Sequence, residues 1–167
     1  VDFLVYGYIS RGRHEGYTGI VFYTYDNSDN TVVENFFLPL EENKEELEES
    51  LNFLSYHAGN KMFYLYYGGT VYGIDTNSFE VMTLVSSLQE GELASSVSGQ
   101  YLAYEEKSGE SELGSSVIFK NLKQDRTYSI SEENKLFSVI GFIENDLIIG
   151  VQDKSLGTEW NPQGEIP

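Results

Sequence analysis

The sequence predicts an all-β fold assembled from repeated units of about four short antiparallel strands. The chain of 167 residues contains 13 Tyr, 10 Phe and 16 Gly but one Trp, a composition typical of short strands joined by tight turns. Short β-branched and aromatic runs alternate with Gly, Asn, Asp and Ser clusters along most of the chain. One hairpin pattern also recurs at nearly constant spacing. These three observations favour a repeated all-β architecture.

The first unit is predicted within residues 1–39, with strands at 3–9, 17–25 and 31–38. The charged loop 10–16 separates the first two strands. The Asx-rich run 26–30 is a dense turn signal between the second and third strands. We therefore expect a three-stranded meander.

One linking helix is predicted at about residues 43–50. Asn43 followed by Glu46 is an Asn-x-x-Glu version of the capping box, and leucines at positions 40, 47, 51 and 54 fall near a 3.6-residue period. The acidic run 41–49 is interpreted as the solvated face of this helix, in preference to a functional patch.

Three further units follow, at about 51–88, 92–131 and 135–153. The first has strands at 52–57, 62–67, 70–74 and 79–85, with Gly68-Gly69 as a short-hairpin signal. The second has strands at 92–97, 100–105, 116–121 and 127–130. The last has only the strands 136–143 and 146–152, joined at Glu144-Asn145.

The hairpin turns led by Asp26, Asp75 and Asn121 repeat one pattern, and their lead residues lie 49 and 46 positions apart. Periods of about 40–50 residues with four strands each are typical of β-propeller blades. We therefore expect a partial β-propeller of about three to four four-stranded blades, with an ordinary β-sandwich as the alternative. An incomplete ring exposes sheet faces and edges, so self-association through these edges is expected.

One repeat also resembles a known family. Residues 96–104 (S-V-S-G-Q-Y-L-A-Y) resemble the S-P-D-G-K-x-L-A-Y segment of TolB-like, WD40-like propeller repeats, and residues 117–122 resemble the I-Y-x-x-D-L strand of that family. The chain departs from the family pattern at Val97, Ser98 and Asn121. By analogy with bacterial envelope lipoproteins of unknown function, the resemblance implies an extracellular or envelope location on a lipid-anchored parent. We expect both ends of the chain to be cuts in a longer protein.

The charge of the chain excludes several classes of partner. Its net charge is −17, with 27 acidic and 10 basic residues and no Cys. Such a surface repels phosphate backbones and anionic lipid head groups, so neither nucleic acid nor direct membrane binding is expected. The absence of Cys excludes disulfides and thiolate metal sites.

The loop 10–16 holds the candidate ligand-binding residues Arg11, Arg13, His14 and Glu15. Two guanidinium groups and a protonated His can receive a carboxylate or phosphate, and His14 beside Glu15 could serve acid–base chemistry. The sequence places no nucleophile or second carboxylate beside them, so the alternative is a solvated hairpin loop. The loop 106–115 is the second expected contact region for a partner.

No metal site, cofactor or catalytic residue is expected. The run 26–30 resembles the start of an EF-hand loop, but Thr31 and Phe37 stand where Gly and a bidentate Glu are required. His57 has no partner at metal-ligand spacing and is interpreted as a structural His with its hydrogen bonds satisfied. Nucleophile-elbow, phosphate-loop and dinucleotide motifs are absent.

The sequence thus favours a non-catalytic extracellular interaction or ligand-sensing module with a protein or peptide partner. One alternative is an accessory propeller domain of a larger, peptidase-like envelope enzyme. Another is a glycan-binding domain that uses surface Tyr. Tyrosines two positions apart share a face of a strand, and three such pairs occur, which are interpreted as packing between blades: Tyr6/Tyr8, Tyr23/Tyr25 and Tyr64/Tyr66.

Overall fold

The chain folds into four antiparallel sheets that follow one another in sequence. The structure is a computed structural model that describes residues 1–41, 44–58, 61–89, 91–109, 111–157 and 159. Neighbouring strands in each sheet are consecutive in the chain, and the sheets have three, four, four and two strands. The all-β class and the linking helix are confirmed.

The first sheet contains β1 (Asp2–Tyr8), β2 (Thr18–Asp26) and β3 (Thr31–Leu40). Helix α1 (Lys44–Phe53) precedes the second sheet, which contains β4 (Ser55–Ala58), β5 (Met62–Tyr67), β6 (Thr70–Asp75) and β7 (Val81–Val85). The third sheet contains β8 (Leu93–Ser95), β9 (Tyr101–Glu106), β10 (Ser116–Asn121) and β11 (Arg126–Ile130). The fourth contains β12 (Lys135–Ile143) and β13 (Asp146–Asp153), followed by a 3₁₀ turn at Lys154–Leu156.

Consecutive sheets are joined by three clusters of buried apolar side chains. The first interface joins the first sheet, α1 and the second sheet through Ile20, Phe22, Leu47, Leu51, Phe63, Leu65 and Ile74. The second interface joins the second and third sheets through Leu54, Ala58, Tyr64, Val71, Leu88, Leu93, Leu102, Tyr104, Ile118 and Leu122. The third interface joins the third and fourth sheets through Ala103, Val117, Phe137 and Val139.

The central strands of the second and third sheets are buried on both faces. In β5, Phe63 and Leu65 point into the first interface and Tyr64 points into the second. In β9, Leu102 points into the second interface and Ala103 into the third. Successive side chains of a strand point to opposite faces, so a strand buried on both sides needs a continuous apolar run. The run M-F-Y-L-Y-Y of β5 meets this requirement.

The repeated hairpins begin at equivalent places in the first three sheets. Asp26, Asp75 and Asn121 each end the strand before the last of their sheet. The Oδ1 atom of each accepts backbone N–H groups of the following turn, donated by Ser28, by Asn77 and Ser78, and by Gln124 at 2.7–3.1 Å. Strands β1–β3 therefore correspond to the last three strands of the four-stranded sheets.

The helix ends later than the sequence predicts. It was expected at 43–50 with a strand at 52–57, whereas α1 continues to Phe53 and β4 begins at Ser55. The Leu54 N–H still bonds to the Ser50 carbonyl at 3.1 Å. The extra turn buries Leu51 in the first interface, so tertiary packing overrides the strand pattern. Leu40 belongs to β3 and not to the helical repeat, and the predicted cap Asn43 lies outside the described residues.

The hairpin at Gly68-Gly69 is confirmed. Tyr67 pairs with Thr70 across a two-residue loop, and the φ angles of the two glycines are 55° and 70°. Two-residue loops with positive φ at both positions match the twist of the flanking strands, and glycine adopts such angles without steric cost. The other predicted strand ends agree within a few residues. One exception is Phe79, which lies in a turn at φ 56° before β7.

The fourth sheet is anchored to the third by polar contacts along β12. Phe137 exchanges two backbone hydrogen bonds with Gly114, at 2.8 and 2.9 Å. Glu105 is 8% exposed, and its Oε1 accepts hydrogen bonds from the Ser138 hydroxyl at 3.0 Å and from the Val139 N–H at 2.8 Å. The carboxylate therefore accepts a hydrogen bond from a backbone N–H that would otherwise be free to pair with a further strand.

We predict that Glu105→Ala lowers the free energy of unfolding by about 1–3 kcal/mol, because it leaves the buried Val139 N–H without an acceptor. Glu105→Gln retains an acceptor oxygen and should cost less. Urea unfolding followed by circular dichroism measures both variants. Equal stability of wild type and both variants would contradict the anchoring role.

The hydrogen-bonded carboxylate of Asp75 should make the free energy of unfolding decrease as the pH falls. Backbone N–H bonds from Asn77 and Ser78 hold the pKa of Asp75 below its ordinary value of 3.8. A lowered folded-state pKa gives stabilisation that is present above the unfolded pKa and lost as the pH falls through the folded one. Asp75→Asn should therefore lose less stability than wild type between about pH 5 and pH 2. Parallel acid titrations of the unfolding midpoint test this, and identical slopes would contradict it.

Candidate functional site

The loop between β1 and β2 is closed by its own backbone. The ladder of the two strands continues to Ile9, whose N–H bonds to the Tyr17 carbonyl at 2.8 Å. The Gly16 N–H returns to the Ile9 carbonyl at 2.9 Å, and the Glu15 N–H bonds to the Gly12 carbonyl at 3.2 Å. Residues 10–16 therefore form a defined turn at the end of the first sheet.

His14 holds this loop against the outer face of the first sheet, the face opposite the first interface. Its ring stacks on Phe37 with centroids 4.0 Å apart and planes 23° apart. Its Nε2 lies 2.7 Å from Oε1 of Glu34. The loop turns His14 towards β3, where its hydrogen-bond partner is Glu34.

A β-bulge brings Glu34 and Phe37 to the same face. Residues three apart in a regular strand point to opposite faces, yet Glu34 pairs with Tyr23 and Phe37 pairs with Val21. The register shifts between these pairs, and Asn35 is the extra residue. The alternation of side chains in a regular strand could not predict this contact, because no residue type in the segment indicates the change of register.

A cleft of about 390 Å³ lies beside the loop. It is lined by residues 5–14 of β1 and the loop and by Val21, Tyr23 and Glu34 of the neighbouring strands. The sheet side of the cleft combines apolar side chains, among them Val5 and Val21, with the carboxylate of Glu34, and the loop side is polar. This combination is typical of small ligand sites, where apolar walls bury the ligand and a few polar groups orient it.

Arg11 and Arg13 both line this cleft, and both side chains are exposed. Among the residues that the structure describes, neither guanidinium forms an ion pair, and the same holds for the exposed Glu15. An exposed guanidinium presents planar N–H donors that match a carboxylate or phosphate. The loop therefore offers anion-binding groups beside an apolar wall.

The same geometry offers no assembled nucleophile. The His14–Glu34 pair has no hydroxyl hydrogen-bonded to it within the described part of the chain. Covalent catalysis requires a nucleophile within hydrogen-bond reach of its base.

Several described residues of the second predicted contact loop, 106–115, form contacts within the fold. Lys107 forms an ion pair with Glu92 at 2.5 Å. Leu113 is buried, and Gly114 pairs with Phe137 of β12. The sequence did not show this, because the bridge joins a loop residue to a strand of another sheet.

The oxygen-rich turns and His57 show no metal arrangement. In the described ranges, no three His, Asp or Glu side chains are grouped so as to hold a metal ion. The Asp26 carboxylate accepts the Ser28 N–H at 2.7 Å, and this bond holds the pKa of Asp26 below its ordinary value. His57 lies on β4 with its side chain exposed.

The three tyrosine pairs have different environments. Tyr64 is buried in the second interface with Tyr66 packed against it, so this pair lies between sheets as expected. Tyr6 packs against the first interface, whereas Tyr8 is 64% exposed. Residues 23 and 25 are half-buried on the outer face of the first sheet. Packing between sheets therefore accounts for one pair fully and for one in part.

Comparisons with known proteins assign no family. No family model matches the chain, and no curated protein matches it. One solved structure that it matches is dipeptidyl peptidase 4 of Porphyromonas gingivalis, with 10% identity and a TM-score of 0.33. The match covers 86% of this chain, which spans 27% of that protein. Of the described residues, none belongs to a helix with the length and apolar character to cross a membrane. The function therefore has to be argued from the site.

We predict that His14→Ala releases the loop from the sheet. Loss of the stack on Phe37 and of the bond to Glu34 should speed amide exchange at Glu15 and Tyr17 by at least about tenfold, a change of about 1.4 kcal/mol in local opening. His57→Ala, on an exposed strand position, is the matched control and should leave these amides unchanged. Unaltered exchange in His14→Ala would show that the backbone bonds alone hold the loop.

Proposed function

We propose that the chain is a non-catalytic binding module that recognises an anionic group of a protein or peptide partner through the loop 10–16. The observation that carries this proposal is the pair Arg11 and Arg13, exposed beside a cleft on a loop that His14 fixes to the sheet. A fixed loop loses little conformational entropy on binding. The backbone that carries the two arginines is therefore held in place before a partner arrives.

The charge of the chain restricts the partner. The net charge of −17 repels acidic partners. This repulsion acts within about one Debye length, because salt screens the charges at larger distances. Contact with a guanidinium is a short-range interaction that survives this repulsion. We therefore propose a partner that is neutral or basic overall and that presents one carboxylate or phosphate at the contact.

The architectural part of the proposal is that the four sheets are blades of a β-propeller. Support comes from the serial packing of sheets through successive interfaces and from the equivalent Asx turns at Asp26, Asp75 and Asn121. Sheets that bury both faces against neighbours are expected of stacked repeats. The resemblance of residues 96–104 to TolB-like repeats supports an extracellular or envelope parent, within which such a module could also serve as an accessory domain.

The anion site can be tested with two probes: inorganic phosphate and an acetylated peptide of alternating Lys and Glu, which is neutral overall. Either probe should shift the amide resonances of residues 11–15 in a saturable titration. Arg11→Ser/Arg13→Ser should abolish these shifts, and added salt should weaken them. Nuclear magnetic resonance titration is the measurement.

The matched control is Lys123→Ser/Arg126→Ser, which removes two exposed cations from the β10–β11 turn and β11. This variant has the same net charge as the test variant and should bind both probes as wild type does. Equal weakening in the two variants would reveal a general charge effect and overturn the site.

A further inference from the structure

A second cleft, of about 550 Å³, lies between the second and third sheets. It is lined by the end of β7, by residues 86–89 of the connection to β8, and by Glu92 and residues 104–107. Glu105 contributes its backbone, because its carboxylate lies on the opposite face of β9, where it bonds to β12. This cleft shares no lining residue with the cleft beside the loop 10–16.

Hydrogen bonds within the fold hold the walls of this second cleft. The Leu88 N–H bonds to the Gly69 carbonyl at 3.0 Å, and a Cβ at position 69 would lie only 2.8 Å from the Leu88 carbonyl oxygen. The Gln89 N–H bonds to Oε2 of Glu92 at 2.8 Å. Oε1 of Glu92 pairs with the Lys107 ammonium at 2.5 Å. The connection is therefore fixed, and this ion pair is satisfied without a ligand.

The phenol of Tyr104 is the feature of this cleft that the fold leaves incomplete. Tyr104 is 8% exposed, and its ring packs in the second interface. Within the described part of the chain, its hydroxyl has no hydrogen-bond partner. Every fully buried side-chain oxygen or nitrogen of the described residues does have one, so this hydroxyl is open to solvent at the cleft that Tyr104 lines. Buried phenols normally have a partner.

Glu106 lies beside this hydroxyl. Residues two apart in a strand share a face and are separated by roughly 6.5–7 Å along it. Oε2 of Glu106 accepts the Ser116 hydroxyl at 2.8 Å, while no described residue bonds to Oε1 or forms an ion pair with this carboxylate. Burial and the charge of Glu106 raise the pKa of Tyr104, so the phenol stays neutral at physiological pH. The cleft therefore combines a neutral hydroxyl with one uncompensated negative charge.

We propose that this cleft binds a primary ammonium group carried on an aliphatic stem. An ammonium has three donors and no acceptor, and it donates to the Tyr104 oxygen and to Oε1 of Glu106. The stem lies along the apolar side chains of the wall, from Leu84, Val85 and Leu88. The charge of Glu106 repels carboxylates and phosphates from the same place. The site is a second one, beyond the proposed anion site.

The probe is n-butylammonium chloride, followed by nuclear magnetic resonance at an ionic strength kept constant with sodium chloride. Amide resonances of residues 86–89 and 104–107 should shift and saturate. n-Butanol has a similar shape without the charge and should bind at least about tenfold more weakly, as expected when a charged hydrogen bond is lost.

A peptide arm distinguishes the two sources of such an ammonium. If acetyl-Gly-Lys-Gly-amide binds at least as tightly as n-butylammonium, the site takes a lysine side chain of a partner protein. If n-butylammonium binds and the peptide does not, the site takes a small free amine. Both results support the ammonium site.

Two variants remove the two acceptors separately. Tyr104→Phe keeps the ring and should weaken n-butylammonium binding at least about fivefold, with no loss in the free energy of unfolding, because the hydroxyl has no partner in the fold. Glu106→Gln keeps an acceptor for Ser116 and should weaken binding at least about tenfold. The matched controls Tyr128→Phe and Glu133→Gln make the same changes at exposed positions and should bind as wild type does.

Three results would overturn the proposal. The first is the absence of a saturable shift with n-butylammonium, and the second is equal affinity for n-butanol. The third is wild-type affinity in Tyr104→Phe or in Glu106→Gln. Arg11→Ser/Arg13→Ser should not weaken n-butylammonium binding, so failure of the anion site and failure of the ammonium site give different results.

Discussion

Burial of both faces of the second and third sheets is the constraint on which the rest of the structure depends. A small sheet with one solvated face has little independent stability. Here Phe63 and Tyr64, adjacent in β5, enter two different interfaces, and so do Leu102 and Ala103 in β9. Each inner sheet is therefore stable only between its neighbours, so the chain behaves as a stack of layers.

The first and the fourth sheets are held by different kinds of contact. In the first sheet, the loop 10–16 turns back and sets His14 on Phe37, which shields part of the outer face of that sheet. Between the third and fourth sheets, Glu105 and Gly114 hold β12 through its backbone. The loop that shields the first sheet also carries Arg11 and Arg13, so this packing and the candidate site lie in the same loop.

The strands could be predicted because their sequence pattern is local. Aromatic and β-branched runs bounded by Gly and Asx turns locate the strands, and Gly68-Gly69 determines its hairpin without help from the rest of the chain. The end of α1 could not be predicted, since the burial of Leu51 against another sheet decides it. The His14–Glu34 contact depends on one bulged residue, Asn35, that changes the face of a strand. The candidate loop was recognisable from its charge, but the partner of its histidine was not.

The unequal sizes of the three interfaces have a consequence for the order in which the molecule opens. Fully burying one large apolar side chain contributes roughly 1.5–3 kcal/mol, and among the described residues the third interface has four buried members against ten in the second. We therefore expect the fourth sheet to open as a sub-global unit while the other three stay closed. Such opening would expose the face of the third sheet that packs against the fourth, while the rest of the molecule stays folded. The carboxyl-terminal layer would then be the first accessible to a protease, long before the whole chain unfolds.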